Sequence, residues 1–373
     1  MDRTLWDVIV VGGGPAGASA ALAAVRAAPG TRVLLMDKAH FPRDKACGDG
    51  IAPHALDELA ALGVHHAADG YAPIRTLRLR TPAGAEVVAT PRRDNHVIPR
   101  AVFDARLVEA AAHAGVEVRV GRLRSLRQGA REVDLNDGEL RARAVVAADG
   151  ANSTARRLLG VPGNPSGDLA VAVRGYAPAP PGRPEQVIAF VAEGWPAYAW
   201  SFAIGDGTAN VGYGLLRREL LGGRAQLHDR LAALLPDQPA DPSTLRAHHL
   251  PFSSARPFPG HHRVLLAGDA ASLINPLTGE GIYYAVASGR RAGEAAATDP
   301  ARYAPQLHAL LGAHLRQTTV LSRAIRHPPL VDAAVRAAAR HGGVFDDLVE
   351  IGLGAGRLRP SSAARVAAAY LRG

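Results

Sequence analysis

Three short stretches of this chain carry residues whose types and spacing suit chemistry on a nucleotide-like ligand. The first is "VGGGPAG", in which Gly12, Gly14 and Gly17 fit G-x-G-x-x-G. An apolar run, "WDVIVV", precedes it and a helix-forming run, "ASAALAAVRAA", follows it. That context makes the motif a dinucleotide loop. Gly12 permits the tight turn, Gly14 lets a pyrophosphate approach the backbone, and Gly17 lets the helix pack on the strand. The helix N-terminus then offers free N–H groups and partial positive charge to the phosphates. Asp37 closes the second apolar run, "TRVLLMD", 20 residues after Gly17. A carboxylate there accepts hydrogen bonds from ribose hydroxyls and disfavours a 2′-phosphate, leaving FAD or NAD. Lys38, beside it, joins the cofactor set.

The other two stretches decide between those ligands. "VVAADGANSTARRLLG" presents Asp149, Gly150, Ser153 and Arg156 after a buried strand. "RVLLAGDAASLINPLTGEGIYYA" presents Gly268, Asp269, Pro276, Gly279, Glu280, Gly281 and Ile282 after another. Ligands of open α/β sheets sit at such strand ends. One extended ligand touching three of them fits FAD better than NAD. The "GD" segment is expected to start a helix, with Asp269 reaching the ribityl chain. "PRAVFDARL" carries Arg100 at the start of a further helix-forming run. The only cysteine, Cys47, lies in "FPRDKACGDG" beside Gly48, in a turn open enough for close approach to a ligand.

These elements require a scaffold. Strands alternating with helices over the first 70 residues, and again around 99–160 and 261–322, read as a Rossmann-type α/β FAD-binding domain in three pieces. Residues 71–98 and 161–260 alternate polar and apolar residues between Gly- and Pro-rich turns, which predicts an antiparallel-sheet substrate domain with one helix near 224–235. Residues 323–373 read as a C-terminal helical segment capping that domain. "GLGAGR", at 352–357, follows no strand and reads as a helix break.

Composition narrows the function classes. The chain has 373 residues, 47% of them hydrophobic, and a net charge of +9. Lys38 and Lys45 are the only lysines, and no compact basic block with interleaved aromatics appears, so nucleic acid is not an expected partner. One cysteine excludes an internal disulfide and a cysteine-rich metal site. The paired histidines His65–His66, His248–His249 and His261–His262 lack metal-ligand spacing and read as solvated loop residues. The N-terminus lacks the marks of a secretory leader, and no apolar run spans a bilayer, so a cytoplasmic location is expected.

Together the motifs resemble flavoproteins of the para-hydroxybenzoate hydroxylase type, and "PRAVFDARL" resembles the arginine motif of that class, which implies Arg100 near the FAD pyrophosphate. Within that class, "FPRDKACGDGIAPHALDELAALGV", "GDAASLINPLTGEGIYYA" and "YAWSFAIGDGTANVGYG" resemble the geranylgeranyl reductase family. Tyr198, Trp200, Phe202, Gly212 and Gly214 match its aromatic element, whereas Ala203 stands where the family has proline. The resemblance covers residues 5 to about 295. It implies a lipid-sized tunnel ending at the flavin, with Tyr198, Trp200 and Phe202 lining it. It also places Cys47 beside the reacting face of the flavin. The reaction implied is hydride transfer from reduced FAD to a C=C bond of an isoprenoid-type chain, with Cys47, Tyr198 or a flavin-bound water as candidate proton donor. NAD(P)H, a ferredoxin or a flavin reductase would supply electrons, and a peripheral membrane contact would suit the substrate. A monooxygenase or oxidase tailoring a secondary metabolite is the alternative on the same scaffold. The halogenases of this class rely on a lysine, and this chain has none after Lys45.

Overall fold

The computed structural model describes residues 4–372. β1 (Leu5–Val11), helix α1 (Pro15–Ala27) and β2 (Val33–Asp37) open the chain. They form the centre of an eight-stranded sheet, in which β1 pairs in parallel with β2 on one side and with Leu140–Ala147 on the other. Val264–Leu266 and Glu117–Val120 extend it, also in parallel. Val8, Ile9, Val33, Leu34, Val145 and Val146 are at most 1% exposed, so both faces of these strands are covered by other layers. The turns after Val11, Asp37, Ala147 and Leu266 therefore gather at one edge of the sheet. The three expected ligand motifs follow these turns.

Close backbone contact sets that edge. At Gly17 a Cβ would lie 1.7 Å from the carbonyl oxygen of Gly12, so no larger residue fits while the turn keeps its shape. Helix Ile282–Ala297 packs on α1 as tightly: a Cβ at Gly289 would lie 2.1 Å from the Ala16 oxygen.

The second sheet has seven strands, in the order Arg246–Pro251, Leu169–Pro178, Thr208–Leu216, Ala197–Ala203, Gln186–Val191, Leu77–Arg80 and Glu86–Ala89. It departs from the expected antiparallel sheet at one place, since Gln186–Val191 runs parallel to Leu77–Arg80. The hairpin carrying Leu77–Arg80 belongs to a separate crossing of the chain, so no tight turn forces the antiparallel sense. A second departure concerns "GD". Gly268–Ala271 is one 3-10 turn, stopped by Ser272 in a left-handed conformation at φ 58°, and the long helix begins only at Ile282. The "GLGAGR" reading agrees with the structure: helix Gly342–Leu353 stops there, and Pro360–Leu371 follows.

One buried network joins the second sheet to the loop carrying Cys47. The Asn210 amide donates to the Cys47 carbonyl (2.9 Å) and to Asp49 Oδ2 (2.8 Å), and its oxygen accepts from Trp200 Nε1 (2.8 Å). Tyr176 Oη donates to the same Asp49 oxygen at 2.7 Å. Arg174, 1% exposed, pairs with Asp44 and donates to the Lys45 carbonyl at 3.2 Å. Asp49 is fully buried, and its Oδ1 has no hydrogen-bond partner among the described residues. Burial pushes its carboxyl up to about 6, against the hydrogen bond from Tyr176 and the charge of Arg174.

Two outcomes follow from this network. Asn210→Ala strands a carbonyl and an indole N–H and takes one of two donors from Asp49 Oδ2, and should cost about 3 kcal/mol, read as a lowered urea midpoint. Asp49 ionises earlier in the unfolded chain than in the fold. Stability should therefore fall as pH rises from about 4 to about 6, by up to about 3 kcal/mol, relative to Asp49→Asn, which lacks that slope. Parallel stability profiles for the two proteins would rule out a buried acid at this position.

Candidate active site

A cavity of about 530 Å³ begins at the glycine loop and runs between the two sheets to the C-terminal helices. Gly14 and Pro15, Lys45 to Gly48, Arg100, Asp269 and Gly279 to Ile282 line its polar end. Thus Gly14, Cys47, Gly48, Arg100, Asp269, Gly279, Glu280, Gly281, Ile282, Tyr198, Trp200 and Phe202, all singled out from sequence, meet at one cavity.

Arg100 is 4% exposed and forms a two-pronged ion pair with buried Asp104, at 2.7 and 2.8 Å. Arg43 reaches the same carboxylate at 3.2 Å and Asp37 at 3.6 Å. A Cβ at Gly14 would lie 3.7 Å from Nη2 of Arg43 and 3.8 Å from Nη2 of Arg100. Open backbone facing two guanidinium groups is a fit for a pyrophosphate. Asp37 closes the loop from behind, because its Oδ2 accepts from the Gly13 N–H at 2.7 Å.

At the next turn, Asp149 accepts from Ser153 Oγ at 2.5 Å and from the Thr154 N–H at 2.7 Å, capping the short helix that follows. Asp269 sits beside Lys45, with 3.4 Å between Oδ2 and Nζ. Burial works against its charge, but the charges of Lys45 and Arg100 hold its carboxyl below the ordinary value. Glu280 accepts from the Tyr283 N–H at 2.8 Å, and burial pushes its carboxyl up to about 7.

The apolar part of the cavity depends on strand alternation. Tyr198, Trp200 and Phe202 share one face of Ala197–Ala203, with ring centroids 5.9 and 6.4 Å apart. Ser201, on the other face, accepts from Gln238. Trp200 lies flat across its neighbour Gly212, where a Cβ would fall 2.0 Å from the indole ring. Tyr198 Oη donates to the Thr278 carbonyl at 2.6 Å, and burial raises its pKa far above the ordinary phenol value. Its proton is committed to that bond, which counts against Tyr198 as the donor. Burial also raises the Cys47 thiol, outweighing the Arg100 guanidinium, so the thiol is neutral near pH 7. Leu321, Ile325, Leu330, Val335, Leu348 and Val366 form the far wall.

Some expectations place differently. Lys38 is exposed and does not face the cavity. Pro276 faces a small adjoining pocket shared with Trp195 and Arg326. The His248–His249 pair is not a solvated loop: it lies on strand Arg246–Pro251, paired with Leu169–Pro178, and His248 faces the cavity. A six-residue strand with charge at one end and proline at the other gave no alternation to detect. Asp104, Asp49 and Asn210 lie inside "PRAVFDARL", "FPRDKACGDG" and "YAWSFAIGDGTANVGYG" but were not singled out, nor was Tyr176, because nothing in the local sequence marks them as buried partners.

Residues 6–178 match the family described as FAD binding domain. A menaquinone reductase of Mycolicibacterium smegmatis is 35% identical over 319 residues, covering 78% of this chain and 76% of that protein. A digeranylgeranylglycerophospholipid reductase of Methanopyrus kandleri is 34% identical over 313 residues, covering 78% and 77%. The fold extends to a crystal structure of a geranylgeranyl bacteriochlorophyll reductase-like protein from Thermoplasma acidophilum, with a TM-score of 0.72, 22% identity, and coverage of 98% of this chain and 96% of that one. The glycine loop facing two arginines suits the FAD of the matched domain, and this chain belongs to the geranylgeranyl reductase family of FAD-dependent oxidoreductases.

Proposed function

We propose that this protein reduces isolated C=C bonds in an isoprenoid chain carried by a quinone or a lipid. The observation that carries the reading is the continuous cavity, polar at the glycine loop and apolar from Trp200 to the C-terminal helices. The names of the relatives, a menaquinone reductase and a digeranylgeranylglycerophospholipid reductase, point to the same substrate class.

When bound and reduced, FAD supplies a hydride. The protein's own residues do the rest. Arg43, Arg100 and the Gly14 backbone hold the pyrophosphate, and Asp269 orients the polyol chain. Trp200 and Phe202 touch the turn directly, since a Cβ at Gly48 would lie 3.4 Å from the Phe202 ring and 3.5 Å from Trp200 Nε1, so they hold the turn in place and line the path of an extended alkene beside it. The apolar wall excludes water from the reacting carbons. Cys47 is neutral and faces the cavity, so its thiol can give the proton that completes addition across the double bond. The Asn210 bond to its carbonyl fixes the turn.

The sequence has a single G-x-G-x-x-G loop, so we assign electron delivery to transient NAD(P)H, a ferredoxin or a flavin reductase. Among the described residues no helix is long and apolar enough to cross a membrane. We place the enzyme in the cytoplasm, meeting its lipid substrate at a membrane surface.

The test is to reduce the holoprotein without oxygen and mix it with a polyprenyl quinone while following flavin absorbance. Reoxidation by the alkene, with a saturated product, is the expected result. No response to alkenes, together with oxygen-dependent hydroxylation of an aromatic substrate, would make the protein a monooxygenase instead. Cys47→Ala should slow the alkene step by about a hundredfold and leave reduction of the flavin by its donor unchanged. An unaltered alkene step in that variant would remove the thiol from the mechanism.

A further inference from the structure

One group on the cavity wall has no part in the reaction just described. His248 stands opposite Ala172 on the neighbouring strand, and both face the cavity. Its Nε2 is shielded from solvent and has no hydrogen-bond partner among the described residues. Asp269 Oδ2 is 4.0 Å away, beyond direct hydrogen-bond reach. Lys45 holds that same oxygen at 3.4 Å. Burial, and then the charge of Lys45, push the imidazole down to about 4, so it is neutral near pH 7.

A shielded ring nitrogen without a partner in the protein is costly unless a ligand or an ordered water completes it. The spacing says what kind of ligand group fits. An oxygen about 2.8 Å from both Nε2 and Oδ2 spans the gap with an open angle at the oxygen. A hydroxyl in that position accepts from Nε2–H and donates to the carboxylate. A phosphate oxygen has no proton for Asp269, and an apolar chain offers neither function.

We infer that His248 and Asp269 together clamp one hydroxyl of the FAD polyol chain, with His248 Nε2 donating and Asp269 accepting. Lys45 keeps Asp269 ionised and so keeps the direction of both hydrogen bonds fixed. His248 is thus a cofactor-positioning residue that reaches the flavin from the substrate-side sheet. The inference rests on FAD binding alone and not on the alkene as substrate.

The test is to titrate apoprotein with FAD, following flavin fluorescence and visible circular dichroism. His248→Ala should weaken FAD binding by about tenfold. His248→Gln, which keeps a donor, should stay within about threefold of wild type, whereas His248→Phe, which only fills the space, should bind as weakly as the alanine variant. If one hydroxyl is shared, the His248→Ala/Asp269→Asn double variant loses less than the product of the single losses. Thermal unfolding of each apoprotein separates weak binding from misfolding. Wild-type affinity in His248→Ala or His248→Phe, or losses that simply multiply, would overturn the clamp. Affinity is read without any alkene, so either result leaves the reductase reading to its own test.

Discussion

The site depends on one side-chain amide. Asn210 sits on a central strand of the second sheet and holds three things at once: the Cys47 carbonyl, the Asp49 carboxylate and the Trp200 indole. In a dry interior each of these groups needs its partner, so none can move without cost to the others. The loop from Asp44 to Asp49 belongs in sequence to the nucleotide-binding half but is fastened to the other half. That fastening sets the distance between the Cys47 turn and the aromatic wall.

Electrostatics divides the cavity in the same way. At the glycine loop, Arg43 and Arg100 share Asp104, so positive charge is concentrated where phosphates would lie yet is partly balanced beforehand. Further along, Lys45 answers Asp269. Beyond Cys47 the lining is mostly aromatic and aliphatic, and Cys47 and Tyr198 are held in their uncharged forms by burial. The polar end recognises and the apolar end encloses.

How much of this was legible in the sequence follows from how local each signal is. The glycine loop, the Asp149 and Asp269 turns and the aromatic stripe each lie within one short window, and backbone periodicity announces them. The clamp on the Cys47 loop is not local: Asn210 and Asp49 are 161 residues apart, and Lys45 and Asp269 are 224 apart. No pattern in one strand marks a polar residue as the partner of a distant loop. His248 was misread for a related reason, since a doublet of histidines in a short edge strand looks the same whether it faces water or a ligand. The helix expected directly after Gly268 failed because Ser272 takes a left-handed conformation, which the sequence around it does not announce.

The C-terminal helices give the cavity its far wall, through Leu330, Val335, Leu348 and Val366. These residues lie 283 to 319 positions after Cys47. Reactivity and capacity are therefore written in separate parts of the chain. Substitution at the C-terminal end can lengthen, shorten or bend the accommodated molecule while the redox end stays intact. A lineage could in this way change what it accepts many times over without relearning how to react with it.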